Sequence, residues 1–144
     1  MTDRTAYDYA VTITEELRVL AHVAEQWNTE DPEEWDSEAR RWADDLSYDP
    51  DSDDMPDLGA RYLEDALDVW SVLHHRWDQT PTVHEVRLLR TCGGPHCEIV
   101  WDGDDTLTVQ VWWSGEECTR QVECSPVADA LALIAEMAEQ DLKS

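Results

Sequence analysis

The chain has 144 residues with 34 acidic and 10 basic side chains, a formal charge of −24. A field of that sign repels nucleic acid and anionic membranes and attracts basic surfaces, which argues against direct binding to DNA, RNA or a membrane. Hydrophobic residues still make up 42 %, with eight Trp and no Phe, enough to bury a core within one domain over 1–144.

Three amphipathic helices are expected to open the chain. In the first, Thr12 and Glu15 fit a capping box, and Ile13, Leu17, Leu20, Ala24 and Trp27 share a face. In the second, Asp31 is placed to cap and Pro32 suits the first helical position, with Trp35, Ala39, Trp42 and Leu46 as the apolar stripe. The run from Ser47 to Pro56 reads as a loop. The third helix is expected from about Asp57 to Trp77, burying Leu58, Tyr62, Ala66, Trp70, Leu73 and Trp77.

At Thr80-Pro81-Thr82 the periodicity changes to that of strands. Glu85 to Thr91, Cys97 to Trp101, Leu107 to Trp113 and Cys118 to Cys124 alternate, separated by Gly93-Gly94-Pro95, Asp102 to Asp105 and Ser114 to Glu117. Such short connections predict an antiparallel meander. Ser125-Pro126 then begins a last helix, with Val127, Leu131, Ile134, Met137 or Ala138, and Leu142 facing inward. The expected class is α+β: three N-terminal helices, a four-stranded antiparallel meander and a C-terminal helix. A division into an acidic helical part, 1–79, and a β-meander plus helix, 80–144, is the alternative.

The charge is uneven. Residues 1–80 hold a net −16 and residues 81–144 a net −8. Acidic residues are densest from Asp44 to Asp57, where no basic residue intervenes. On helices, Glu34, Glu38 and Asp45 are expected to form one row and Asp57, Glu64 and Asp68 another, at spacings of about 5–6 Å. Duplex DNA carries one charge per roughly 1.7 Å, so the net charge matches on the order of 12 base pairs. The candidate partner-binding residues are Glu33, Glu34, Asp36, Glu38, Asp44, Asp45, Asp49, Asp51, Asp53, Asp54 and Asp57.

Catalytic and metal motifs are not expected. Asp49, Asp51 and Asp53 superficially match an EF-hand start, but the sixth loop position is Asp54 rather than Gly, and the twelfth is Ala60 rather than Glu. Cys92, Cys97, Cys118 and Cys124 are spaced too widely for a zinc knuckle, and a strand from 118 to 124 separates its ends by about 20 Å. A metal or thiol site at Cys92, His96 and Cys97 is the residual possibility of this kind. No HExxH or phosphate loop occurs, and the only lysine is Lys143. No catalytic residue, metal site or cofactor is therefore assigned. Trp112, adjacent to Trp113 in a strand, points to the face opposite Leu107, Val109 and Val111 and is a candidate partner contact.

In size and charge, over the whole chain, the protein resembles the anti-defence inhibitors of phages and mobile elements, the anti-CRISPR and anti-restriction DNA mimics. The resemblance implies a non-enzymatic inhibitor that occupies the basic nucleic-acid-binding surface of a CRISPR effector or restriction enzyme and blocks DNA binding. No membrane span or secretion signal is seen, so a cytoplasmic location is expected, the host cytosol for a phage-encoded chain. The alternative is a salt-adapted accessory domain of a halophile, whose acidity serves hydration rather than a partner.

Overall fold

The structure is a computed structural model and describes residues 4–74, 82–91 and 95–143. The expected Trp77 core position, Cys92 and the Gly93-Gly94 turn lie outside these residues. Helix α1 spans Ala6–Thr29, a 3-10 turn spans Pro32–Glu34, α2 spans Ser37–Asp45, and α3 spans Leu58–Glu64. Strands follow at Asp68–His74 (β1), Thr82–Thr91 (β2), His96–Trp101 (β3), Thr106–Trp113 (β4) and Glu116–Glu123 (β5), and α4 spans Ser125–Lys143. The fold is α+β, with four α-helices and a five-stranded antiparallel sheet, in the order β1-β2-β3-β4-β5, among the described residues.

Three expectations are corrected. Helix α1 is capped by Thr5, not Thr12: Thr5 and Asp8 close the capping box, and Ala6 and Ala10 extend the buried stripe backward. The second helix begins later than expected. Asp31 makes no side-chain cap, Pro32 opens only a 3-10 turn, and α2 restarts at Ser37 with Asp36 accepting from the Ala39 N–H at 2.9 Å. The long third helix does not form. It stops at Glu64, and Asp68–His74 becomes an edge strand paired with β2, so the sheet has five strands rather than four. Val69, Trp70 and Val72 are strand-favouring residues, and antiparallel pairing with the next strand, β2, satisfies their backbone groups.

The remaining strands and α4 form where the alternation and Ser125-Pro126 place them, within a few residues at the ends. Ser114 (φ 53°) and Gly115 (φ 79°) form the two-residue β4–β5 turn, its positive φ angles matching the twist of the hairpin. Helix α1 packs on β4 and β5, and α4 packs against α3 and, within the sheet, chiefly on β2. Val86, Leu88, Ile99, Leu107, Val109 and Val111 face these helices and are buried with Ile13, Leu17, Leu20 and Leu131. Toward its C-terminus α4 leaves the core: of the alternatives Met137 and Ala138, Ala138 is the half-buried one and Met137 is exposed, and Leu142, expected inward, is exposed. Glu16 on α1 ties the layers together, accepting from Arg90 (2.7 Å) and from the Tyr62 hydroxyl (3.0 Å) while Arg90 lies over the Tyr62 ring. Burial, then Glu16, pushes the Tyr62 hydroxyl pKa far up.

Candidate functional site

The acidic segment is held by an aromatic cluster. Trp27 from α1, Trp35 after the 3-10 turn and Tyr48 after α2 pack with ring centroids 4.9–6.2 Å apart. Both indole N–H groups are satisfied: Trp27 Nε1 donates to the Ala39 carbonyl (3.0 Å) and Trp35 Nε1 to the carbonyls of Gln26 and Glu30 (3.1 and 3.2 Å). Each buried aromatic of this size removes about 150–250 Å² from water. That burial fixes a backbone on which twelve of the nineteen exposed residues between 30 and 57 are acidic. Between residues 30 and 57 stand thirteen acidic side chains and two basic ones, Arg40 and Arg41.

All eleven candidate partner-binding residues reach the surface, ten of them exposed and Glu38 half-buried. They differ in how far the fold already uses them. Asp36 and Asp57 cap α2 and α3. Asp36 also pairs with His22, and this bond, with the Ala39 N–H, holds its carboxyl below the usual range. Glu38 pairs with Arg41 at 2.6 Å. Asp49 accepts from Asp51 N and Ser52 Oγ, both at 3.0 Å, and Asp53 accepts from Asp49 N at 3.0 Å. Of the EF-hand-like aspartates, Asp49 and Asp53 therefore spend side-chain oxygens on their own turn. Asp44, Asp45, Asp51 and Asp54 are exposed and make no side-chain hydrogen bond or ion pair among the described residues.

Both expected carboxylate rows are broken. Glu34 lies in the 3-10 turn outside α2, and Asp68 lies in β1. The acids form instead a patch built from a turn, a short helix and a loop. Its mutual repulsion is visible at Glu34, whose pKa is raised by a hydrogen bond with Glu30 and by the charges of Glu30 and Asp31. Tyr48 reports the same field: burial first, then Asp53, Asp49 and Asp54, push its hydroxyl pKa up.

The described cysteines, Cys97, Cys118 and Cys124, do not converge on His96, and Cys92 lies outside the described residues. Cys97 is buried on the helix-covered face of β3, whereas His96, the preceding strand residue, points to the other face and reaches Glu98 at 2.8 Å. Cys118 is half-buried in β5, and Cys124 is buried just before α4 with its thiol pushed up by burial to about 11. Among the described residues, no three of His, Cys, Asp and Glu are grouped as a metal ion requires. No described helix is long and apolar enough to cross a membrane.

Sequence reading missed a polar chain on the uncovered sheet face. Glu85 accepts from Arg87 Nε (2.6 Å), Arg87 reaches Glu98 (3.1 Å), and Glu98 meets His96. Bonds to Glu85, then to Glu98, raise the Arg87 pKa. Glu98 is only 8 % exposed. Trp112 shares this face, half-buried, with its ring 5.2 Å from that of His96. The signal was weak in sequence because the pairing of β2, β3 and β4 alone brings these residues together. No protein-family model, curated protein or solved structure matches the chain.

Proposed function

We propose that the protein is a non-enzymatic inhibitor that binds the basic nucleic-acid-binding surface of another protein, presenting carboxylates where that surface otherwise holds phosphates. The observation that carries this reading is the patch between residues 30 and 57, where thirteen acids are set on a backbone fixed by Trp27, Trp35 and Tyr48. The raised Glu34 pKa supplies the thermodynamic reason. Like charges held together by folding are relieved when a cationic surface arrives. The resemblance in size and charge to anti-defence inhibitors points to restriction enzymes and CRISPR effectors as the partner class.

The test uses the four aspartates with no local bonding role. The D44N/D45N/D51N/D54N variant and the wild-type chain are immobilised and exposed to bacterial lysate, then eluted with a salt gradient. Nucleic-acid-binding proteins captured by the wild type should elute with rising salt, and the variant should release them at distinctly lower salt. Identical elution from both, or capture lacking nucleic-acid-binding proteins, sinks the assignment.

A further inference from the structure

A groove of about 810 Å³ adjoins the acidic patch, between α1, the 55–58 stretch entering α3, and the first turns of α4. Its chemistry differs from that of the patch. Ala21, Ala24, Leu58 and Ala130 give it small or apolar walls. Met55 and Leu133 also line it, yet remain 45 % and 56 % exposed. Single exposed apolar side chains are ordinary, but two lining one groove offer contact area to a guest.

The charges around this lining are one-sided. Glu25, Asp57, Glu123 and Asp129 contribute to it, and its one arginine, Arg18, is already paired with Glu15. Asp57 belongs to both the groove and the acidic patch, and His22 in the groove holds Asp36 of the patch. The two surfaces are therefore continuous. From Arg18 to Thr29 the α1 wall rises about 17 Å, roughly three helical turns.

We propose that this groove seats an amphipathic basic helix of the protein partner. The guest's apolar stripe lies along Met55 and Leu133, and its Arg or Lys side chains reach Glu25, Asp57 and Asp129. This is the helix-in-groove mode, read by anchors at i, i+3/i+4 and i+7. The inference rests on the basic-partner reading above and adds the element that docks. A second copy of this chain is the wrong occupant, since it sets −24 against −24 and offers the rim more acid.

The experiment uses the intact chain at 0.15 M salt and fluorescence anisotropy. One probe is a labelled Leu/Arg peptide of roughly four helical turns with leucines on one face; the other has the same composition in an order that destroys the stripe. The striped peptide should bind about tenfold tighter, a difference of about 1.4 kcal/mol. Leu133→Glu should weaken it by about tenfold, although the added negative charge favours a basic peptide. Leu67→Glu makes the same charge change at a 65 % exposed leucine outside the groove, and its affinity should stay within about twofold of wild type. Thermal melts check folding, and Leu133→Ala, expected to lose about threefold, replaces Leu133→Glu if that chain is unfolded. Equal affinity for the two peptides, or no loss at Leu133, overturns the groove and leaves the charge reading standing. If neither peptide binds even at low salt, the charge reading fails too. A dimer that sediments in the wild type and is lost in Leu133→Glu reassigns the groove to a second copy, which also overturns the proposal.

Discussion

Gly59→Ala separates two physical effects of opposite sign. Gly59 lies inside α3, where intrinsic propensity favours alanine by about 0.8–1.0 kcal/mol. The packing opposes it. A Cβ at this position lies 1.9 Å from the Pro126 carbonyl oxygen and 2.5 Å from its carbon. Both are backbone atoms, so no side-chain rotation relieves the clash. Restoring the ~3.5 Å of ordinary contact moves α3 and the start of α4 apart by roughly 1.5 Å. Leu58, Tyr62 and Val127 are buried at that junction and lose contacts as it opens. Overpacking costs about 1–3 kcal/mol, and a backbone clash belongs at the upper end. With the propensity gain subtracted, the net loss is about 2 kcal/mol, or roughly 5–8 °C in Tm for a chain of this size. A thermal melt followed by circular dichroism measures it. A Tm equal to or above the wild type refutes the close approach of α3 and α4.

Four further outcomes follow from the same structure. Glu34→Gln removes a carboxyl whose pKa is raised in the folded state; such a group stabilises below its unfolded pKa and loses that contribution as pH rises through the folded value. The variant should therefore melt above wild type at pH 7, the difference closing below about pH 4; a lower Tm at pH 7 contradicts the repulsion. Glu98→Gln keeps the shape but removes the charge between Arg87 and His96, and should cost about 1.5–3 kcal/mol in urea titration; an unchanged midpoint denies the bridge. Cys124, with its thiol at about 11, should resist iodoacetamide at pH 8 until urea unfolds the chain, and native labelling as fast as unfolded labelling refutes its burial. Added salt should raise Tm up to about 0.1–0.3 M and then level off as the Debye length falls below about 10 Å. A Tm still climbing steeply into molar salt favours the salt-adapted alternative.

Much of the architecture was legible from periodicity, and the failures have physical causes. Leu58, Tyr62, Ala66, Trp70 and Leu73 satisfy a helical period, but from Asp68 onward the chain is strand. Alternation was masked there because both sheet faces take apolar residues from β1: Val69 packs toward the core, and Trp70 and Val72 lie on the uncovered side. Pairing with β2 is a non-local term that local periodicity does not contain. Thr5-x-x-Asp8 and Thr12-x-x-Glu15 offer the same capping chemistry, and the upstream pair wins because Ala6 and Ala10 find core to bury against. The acidic segment was legible as composition, whereas its anchoring was not. That Trp27, Trp35 and Tyr48 meet depends on the chain reversing through the 3-10 turn and α2. Nor was the division of the aspartates legible, into those bonded to caps and turns and those facing water without such bonds.

That division bears on how the proposed inhibitor works. A flexible acidic tail supplies the same Coulombic attraction but loses conformational freedom when it docks, at about 1–2 kcal/mol per residue fixed. Here the ordering has been done in folding. Tyr48 anchors the loop to Trp27 and Trp35, and Asp49 and Asp53 close its turn. Folding bears the resulting repulsion, as Glu34 and Tyr48 record, and a basic surface recovers part of that cost on binding. The two proposed surfaces then divide the kinetics. Long-range attraction to the patch governs encounter and depends on salt, while apolar contact in the groove acts only after docking and governs escape. Neutralising Asp44, Asp45, Asp51 and Asp54 should act mainly on the association rate, and Leu133→Glu mainly on the dissociation rate. The two sets of changes are separable because Asp44, Asp45, Asp51 and Asp54 make no side-chain hydrogen bond or ion pair to the groove or the core among the described residues.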